Sequence, residues 1–225
     1  RGGPSEQVES CAIRHLLRLP GPLNAAIDTL GEHVFGGATM VLVFEGSAER
    51  VADELEAMRV LCRERGAETL GEEPARHWLE NRYSVSYKQA PMIMKGAFVD
   101  TMEVAAPWSK LGQLYDDVRA ALGRHALVMA HMSHAYPDGC SIYFTFAGSA
   151  PEAADAEAIY DAAWRDALDA AIGAGGTLSH HHGVGRTKAG WLGRELRGAL
   201  PTLRAIKRAF DPDGILNPGN LIPDG

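Results

Sequence analysis

Ala126-Leu-Val-Met-Ala-His-Met-Ser-His-Ala135, Tyr136-Pro-Asp-Gly139 and Cys140-Ser-Ile-Tyr-Phe-Thr-Phe-Ala147 form the stretch whose reading decides the fold. Both flanks have strand length. The Tyr-Pro-Asp-Gly between them is a turn signal with a mechanism, since proline presets φ, aspartate bonds its own backbone and glycine takes φ values closed to other residues. An antiparallel hairpin is therefore expected. On its second arm Ile142, Phe144 and Phe146 alternate with Tyr143 and Thr145, so the former face a core and Tyr143 projects from the opposite face. Upstream, Ala97 to Val104 reads as a strand running into Ala106-Pro107, where proline suits a first helical turn. Trp108, Leu111, Tyr115, Val118 and Leu122 then share one helical face, and Gly123 stops the helix. Downstream, Ser149-Ala-Pro-Glu152 matches a capping box, opening a helix through Tyr160, Trp164, Leu168 and Ile172 to Gly173. Gly175-Gly176 leads into a short strand, Thr177 to Ser179. Strand, helix, hairpin, helix, strand is an α+β arrangement: a largely antiparallel sheet with helices on one face, built from two ferredoxin-like split βαβ halves.

Further out the pattern is simpler. Ala38 to Phe44 is a continuous β-branched run that suits a buried central strand. Ser47 caps a helix with Val51, Leu55, Met58 and Cys62 at 3.6-residue spacing, and Gly66 ends it. A short strand near Glu68 to Leu70 and a helix over Pro74 to Tyr83 follow. Glu6 to Leu19 is helix-like and is expected to end at Leu19-Pro-Gly-Pro22. The tail carries a short helix, Pro201 to Phe210, with Leu203, Ile206 and Phe210 inward, closed by Asp211-Pro-Asp-Gly214. No low-complexity linker interrupts the chain. Residues 1–37 read as a lead-in, 38–200 as the main domain and 201–225 as a C-terminal segment that returns to it.

Composition narrows the function. A net charge of −7 and a pI near 5.7 argue against nucleic acid as a partner, because phosphate binding needs a basic face. No run reaches the roughly 20 apolar residues of a membrane span. Cys11, Cys62 and Cys140 are odd in number and far apart, so neither a disulfide framework nor a Cys-x-x-Cys metal site is available, and a reducing cytoplasmic compartment is expected. The chain opens on Arg1 with no signal-peptide pattern and reads as a piece of a longer protein.

Ser179-His180-His181-His182-Gly183-Val184-Gly185 is the feature hardest to explain as packing. In extended backbone His180 and His182 point one way and His181 the other, so at least one imidazole should line a polar site. Histidine is the side chain that titrates nearest neutral pH, which suits acid–base work. It also binds metals, but a catalytic zinc needs a third protein ligand, and nothing in the spacing of His131 or His134 nominates either. No metal is expected. Gly183 and Gly185, ahead of a helix predicted to contain Lys188 and Trp191, could offer backbone N–H groups to a cofactor.

Taken together, Gly175 to Arg186, Trp191-Leu192, Ile206-Lys207 and Phe210 to Pro223 resemble the C-terminal end of FAD-linked oxidases of the vanillyl-alcohol-oxidase type. Within that group the His triplet, Leu42-Val-Phe-Glu-Gly46, Ala106-Pro-Trp108 and Tyr136-x-x-Gly-Cys-x-Ile-Tyr-Phe144 are similar to the alkyldihydroxyacetonephosphate synthase family of ether-lipid synthesis. The resemblance implies a cap and substrate domain, FAD held mainly by an N-terminal domain outside this chain, and exchange of an acyl for an alkyl group through a flavin adduct. It implies catalytic roles for Tyr143, His180, His181 and His182, and places Gly183, Gly185 and Asn217 near the cofactor. Arg186 is a substrate-binding candidate, and so is Lys88, since Tyr87-Lys-Gln89 stands where the family carries a substrate arginine. The implied partners are the chain's own FAD-binding domain and a small or lipid-like substrate, met in the cytoplasm or peripherally at a membrane surface, with a homodimer left open; the isolated chain is expected to be inactive. The alternative is an oxidoreductase acting on a D-2-hydroxy acid, lactate or glycolate, or on another alcohol. That branch carries an acidic residue where His181 stands.

Overall fold

In the computed structural model, which describes residues 12–30, 40–84, 93–94 and 96–222, the hairpin is the centre of a three-stranded antiparallel sheet. With α1 (Pro20–Leu30), α2 (Ala48–Glu64) and α3 (Glu73–Asn81) preceding it, the ordered core runs β1 (Ala97–Pro107), α4 (Trp108–Gly123), β2 (Leu127–Ala135), β3 (Gly139–Ser149) and α5 (Ala153–Gly173). The spatial order is β1-β3-β2. After α5 the chain returns to the free edge of β1, where the Thr177 amide donates to the Ala105 carbonyl at 2.8 Å in an antiparallel bridge. This is the expected split βαβ plan with its fourth strand reduced to one bridge. Gly176 permits the approach, because a Cβ there would lie 2.8 Å from the Leu114 side chain.

Helices α4 and α5 cover one face of the sheet. Met102 and Val104 of β1 and Ile142, Phe144 and Phe146 of β3 point into that layer, meeting Leu114, Val118, Leu122, Ala167 and Leu168, all fully buried. Phe146 sits edge-on to Trp164 and Phe98, with ring centroids 5.8 and 6.4 Å apart. Each such buried ring contributes roughly 1.5–3 kcal/mol relative to exposure. Asp100 enters the same layer and accepts from the Tyr160 hydroxyl at 2.6 Å and the Trp164 indole at 3.3 Å, so its charge is hydrogen-bonded.

The opposite face is divided along its length. At one end Leu17, Ala97 and Ala147 form a small apolar cluster with Leu23, Val99 and Leu127, tied down where Asn24 of α1 donates to the Ala126 carbonyl and accepts from the Val128 amide. Thr101 and Thr145 join across the middle at 3.1 Å. At the other end the register aligns Glu103, Tyr143 and His131 in one row, polar and uncovered by α4 and α5.

Several expectations need correction. Met40 to Phe44 is not a strand, residues 38–39 lie outside the described residues, and the run is substantially exposed: a β-prone segment needs a neighbouring strand for its amides, and none pairs with it among the described residues. Residues 68–70 are irregular for the same reason. The Pro20-Gly-Pro22 stop after the helical residues 12–16 is also a start, since α1 begins at Pro20 with its prolines in the first turn. Ser149 caps nothing: it belongs to β3, its hydroxyl donates to the Gly96 carbonyl, and α5 opens at Ala153 after Glu152. Trp108 is half exposed, its indole donating to the Tyr136 carbonyl. Lys188 and Trp191 lie in a turn and a 3₁₀ segment, with α6 only at Leu192–Leu196. The tail helix α7, Leu200–Phe210, leaves Ile206 and Phe210 exposed.

Residues 30–90 form a second unit apart from 1–29 and 91–225. Within it Ser47 caps α2 through the Arg50 amide as expected, and Gly66, at φ +76°, follows its C-terminus. No helix among the described residues is long and apolar enough to cross a membrane.

Candidate active site

Glu103 organises the site. Its position on β1, between core-facing Met102 and Val104, puts the side chain on the uncovered face, yet it is fully buried because the histidine loop folds over it. Bridged to β1 at Thr177, the chain turns through Ser179 and wraps the carboxylate. Oε2 of Glu103 accepts from the Ser179 hydroxyl at 3.2 Å and the amides of His180, His181 and His182 at 2.8, 3.3 and 3.4 Å. Burial alone would raise its pKa, but these amides outweigh it and hold the carboxyl below its ordinary value. Beneath the loop, buried Lys188 donates to the Glu103 carbonyl at 3.1 Å and the Leu178 carbonyl at 2.8 Å, and burial lowers its pKa.

The loop thereby delivers imidazoles to Tyr143. The Tyr143 hydroxyl hydrogen-bonds Nε2 of His181, and the His182 ring stands edge-on to the phenol with centroids 4.9 Å apart. His131, across the sheet, and His134, at φ +45° beside the turn, complete the ring of aromatics at 6.0 and 6.4 Å from Tyr143. His180 packs beside Tyr136 at 5.4 Å, and its Nδ1 lies 2.9 Å from Nδ1 of His181. Burial, then the Glu103 charge, raises the Tyr143 pKa. Burial lowers that of His182, which favours its neutral form. The arrangement can hold and pass a proton: a phenol that keeps its hydrogen at neutral pH faces rings able to take it.

The structure therefore brings together Tyr143, His181 and His182, with His180 at the margin. Sequence reasoning missed Glu103, His131 and His134. A lone carboxylate in the alternating run Thr101-Met-Glu-Val104 was the available signal for the first; the register to Tyr143 was needed for His131. Gly183 and Gly185 have φ values of +81° and +57°, and the Gly185 carbonyl accepts from the Leu221 amide at 3.1 Å, so the glycine turn and the tail meet. Asn217, at φ +46°, accepts through its carbonyl from the Asn220 amide. Arg186 is exposed, and Lys88 lies outside the described residues.

Oε1 of Glu103 and ring nitrogens of His180 and His181 lie within 4.8 Å of one another, a spacing an ion could bridge. The 2.9 Å Nδ1 to Nδ1 separation also lets the two rings hydrogen-bond directly to each other, one nitrogen acting as donor. A planar aromatic cofactor fits as well: Tyr143, His131, His134 and His182 lie together on a surface that α4 and α5 leave uncovered.

Comparison with known proteins agrees. The family model for FAD linked oxidases, C-terminal domain, matches residues 23–221. Alkyldihydroxyacetonephosphate synthase of Dictyostelium discoideum is 32% identical over 191 residues, covering 81% of this chain and 31% of that protein. The glycolate oxidase subunit GlcD of Escherichia coli (strain K12) is 42% identical over 57 residues, 25% of this chain and 11% of that one. A solved structure of alkyldihydroxyacetonephosphate synthase superposes with a TM-score of 0.54 at 25% identity, covering 78% of this chain and 29% of that one. The chain thus spans about a third of the length of the synthase relative it matches. With the βαββα order, the histidine loop and the glycine turn met by the tail all in place, the chain belongs to the FAD-linked oxidase C-terminal domain family.

Proposed function

We propose that this chain is the cap and substrate domain of an FAD-dependent enzyme of the alkyldihydroxyacetonephosphate synthase kind, exchanging an acyl for an alkyl group in ether-lipid synthesis. The observation that carries the reading is the hydrogen bond between the Tyr143 hydroxyl and His181, supported by similarity to the synthases along most of the chain. FAD, held mainly by the N-terminal part of a longer protein, would supply the electrophilic ring that makes the carbon–oxygen bond labile. The uncovered face with Tyr143, His131 and His134, and the turn at Gly183, Gly185 and Asn217, would lie against it.

The net exchange is redox-neutral. The incoming alcohol loses a proton, the acyl group leaves as a carboxylate, one proton per turnover is released to solvent, and the site must hold a proton in between. Tyr143 passes its proton to Nε2 of His181, takes one from the substrate and returns it as the sequence closes. His182, whose partial desolvation favours the neutral ring, is the second acceptor. Arg186, exposed near the loop, and Lys88 are the cations for a phosphate-bearing substrate. A lipid-like substrate would be met in the cytoplasm or at a membrane surface, and dimerisation is compatible with either.

The second reading, a D-2-hydroxy-acid or other alcohol oxidoreductase, is favoured by the local match to the glycolate oxidase subunit. The two are separated by recording the flavin spectrum of the full-length protein anaerobically with D-lactate or glycolate. An unchanged oxidised spectrum supports the exchange; bleaching supports the oxidoreductase.

A further inference from the structure

We infer that Glu103 is a positioning residue that fixes the proton of His181 on Nδ1, leaving Nε2 bare to accept from the Tyr143 hydroxyl. This rests on the acid–base reading of Tyr143 and His181 and extends it to a residue three positions before the nearest motif, Ala106-Pro-Trp108.

The two oxygens of Glu103 have different tasks. Oε2 carries the loop, accepting from the three successive histidine amides and Ser179. Oε1 is buried and accepts no hydrogen bond. It lies 3.4 Å from Nδ1 of His181 and 3.7 Å from Nδ1 of His180, and these are the ring nitrogens nearest to it. A buried carboxylate oxygen without a donor is costly, so a hydrogen on the facing nitrogen is favoured. On His181 that hydrogen is donated to Nδ1 of His180 at 2.9 Å and sits beside the Glu103 carboxylate, whose Oε1 is 3.4 Å from the nitrogen and attracts it by charge without forming a hydrogen bond. A neutral imidazole holds one proton, so placing it on Nδ1 leaves Nε2 as the acceptor. Nε2 is the atom that meets the Tyr143 hydroxyl.

The opposite tautomer is less favourable on two counts: its single Nδ1 lone pair would face the Glu103 carboxylate, and its Nε2–H would meet the Tyr143 oxygen as a donor, leaving no acceptor for the phenol hydrogen on that ring. Glu103 is thus built into the chain as the third member of a Tyr143–His181–Glu103 series, with the loop amides keeping its carboxylate charged.

The test uses the 225-residue chain with ¹⁵N-histidine and no flavin, reading the ring nitrogens of His181 at neutral pH by long-range ¹H–¹⁵N correlation. The expected result is a protonated Nδ1 and a bare Nε2 in the unaltered protein, and a mixture of tautomers in Glu103→Gln, whose carbonyl still accepts from the loop amides. A Tyr143→Phe variant should keep Nδ1–H, because the carboxylate and not the phenol sets it. If Glu103→Gln does not fold, this variant decides. Nε2–H in the unaltered protein, an unchanged tautomer in Glu103→Gln, or a reversal in Tyr143→Phe would each overturn the inference. In the full-length enzyme Glu103→Gln should lower kcat about 10²-fold with KM little changed. Failure of the exchange reaction itself would leave the tautomer reading standing, so the two claims fail separately.

Discussion

Replacing Tyr143 by phenylalanine removes one oxygen and nothing else, and the structure fixes what that should cost. The hydroxyl has His181 as its partner, on a half-buried ring whose carbon edge packs against imidazoles rather than the apolar core. A lost hydrogen bond of this kind costs about 0.5–1.5 kcal/mol, and partial solvent access puts it toward the lower half. At roughly 2–4 °C per kcal/mol for a chain of this size, that lowers the thermal midpoint by roughly 1–4 °C. Turnover should instead fall by about 10²-fold or more, the scale of a lost acid–base group. Phe144→Ala is the contrasting variant: its ring is fully buried on the other face of the same strand. Truncation there costs about 3–5 kcal/mol, with near-normal activity in whatever stays folded. The assay is thermal midpoint and turnover measured on the same preparations of the full-length enzyme. A collapsed midpoint with unchanged turnover in Tyr143→Phe would show the tyrosine to be structural and refute the reasoning.

Other outcomes follow from the same geometry. Because the folded pKa of Glu103 is held below that of the unfolded chain, its contribution is fully present above about pH 4.3 and is lost as pH falls through the lower folded value. Acid titration should therefore release the 179–182 amides to hydrogen exchange below about pH 4, in a step that Glu103→Gln lacks; the groups facing this carboxylate are Tyr143, His180, His181, His182 and Lys188. Lys188→Met should cost about 1–3 kcal/mol of stability for each of the two buried carbonyls it strands, at Glu103 and Leu178, read as a lower urea midpoint; an unchanged midpoint would show those carbonyls to be satisfied otherwise. Expressed alone, the 225-residue chain should hold FAD weakly or not at all, and copurification of stoichiometric flavin would show that the cofactor's main binding residues lie within it.

Alternation and turn chemistry are local, and they carried the hairpin, the inward set Ile142, Phe144 and Phe146, and the outward placement of Tyr143. The same rule puts Glu103 on the outward face, but parity alone would leave it in water. Its burial depends on a loop about 77 positions away, wrapped by backbone amides that no sequence pattern displays. Met40 to Phe44 shows the converse: strand propensity was legible, whereas the partner that a strand requires is a property of the assembled chain. Ser149 failed as a cap because a strand hydrogen-bonded to Ala97 claimed it first. The histidine triplet was legible as a site because three imidazoles in a row have no packing purpose; that His131 joins them follows only from the β2–β3 register, and that His134 does follows from the bulge at that position.

The central claim is that this domain serves an acyl-for-alkyl exchange in which Tyr143 and His181 manage the proton. The most direct measurement incubates the full-length FAD protein anaerobically with an acyl-dihydroxyacetone phosphate and an isotopically labelled long-chain alcohol, and follows label and flavin spectrum together. The account predicts labelled alkyl ether and free fatty acid in equal amounts, flavin oxidised at the end, and about 10²-fold less product with Tyr143→Phe. No labelled ether, together with flavin reduced by D-lactate or glycolate, would contradict it.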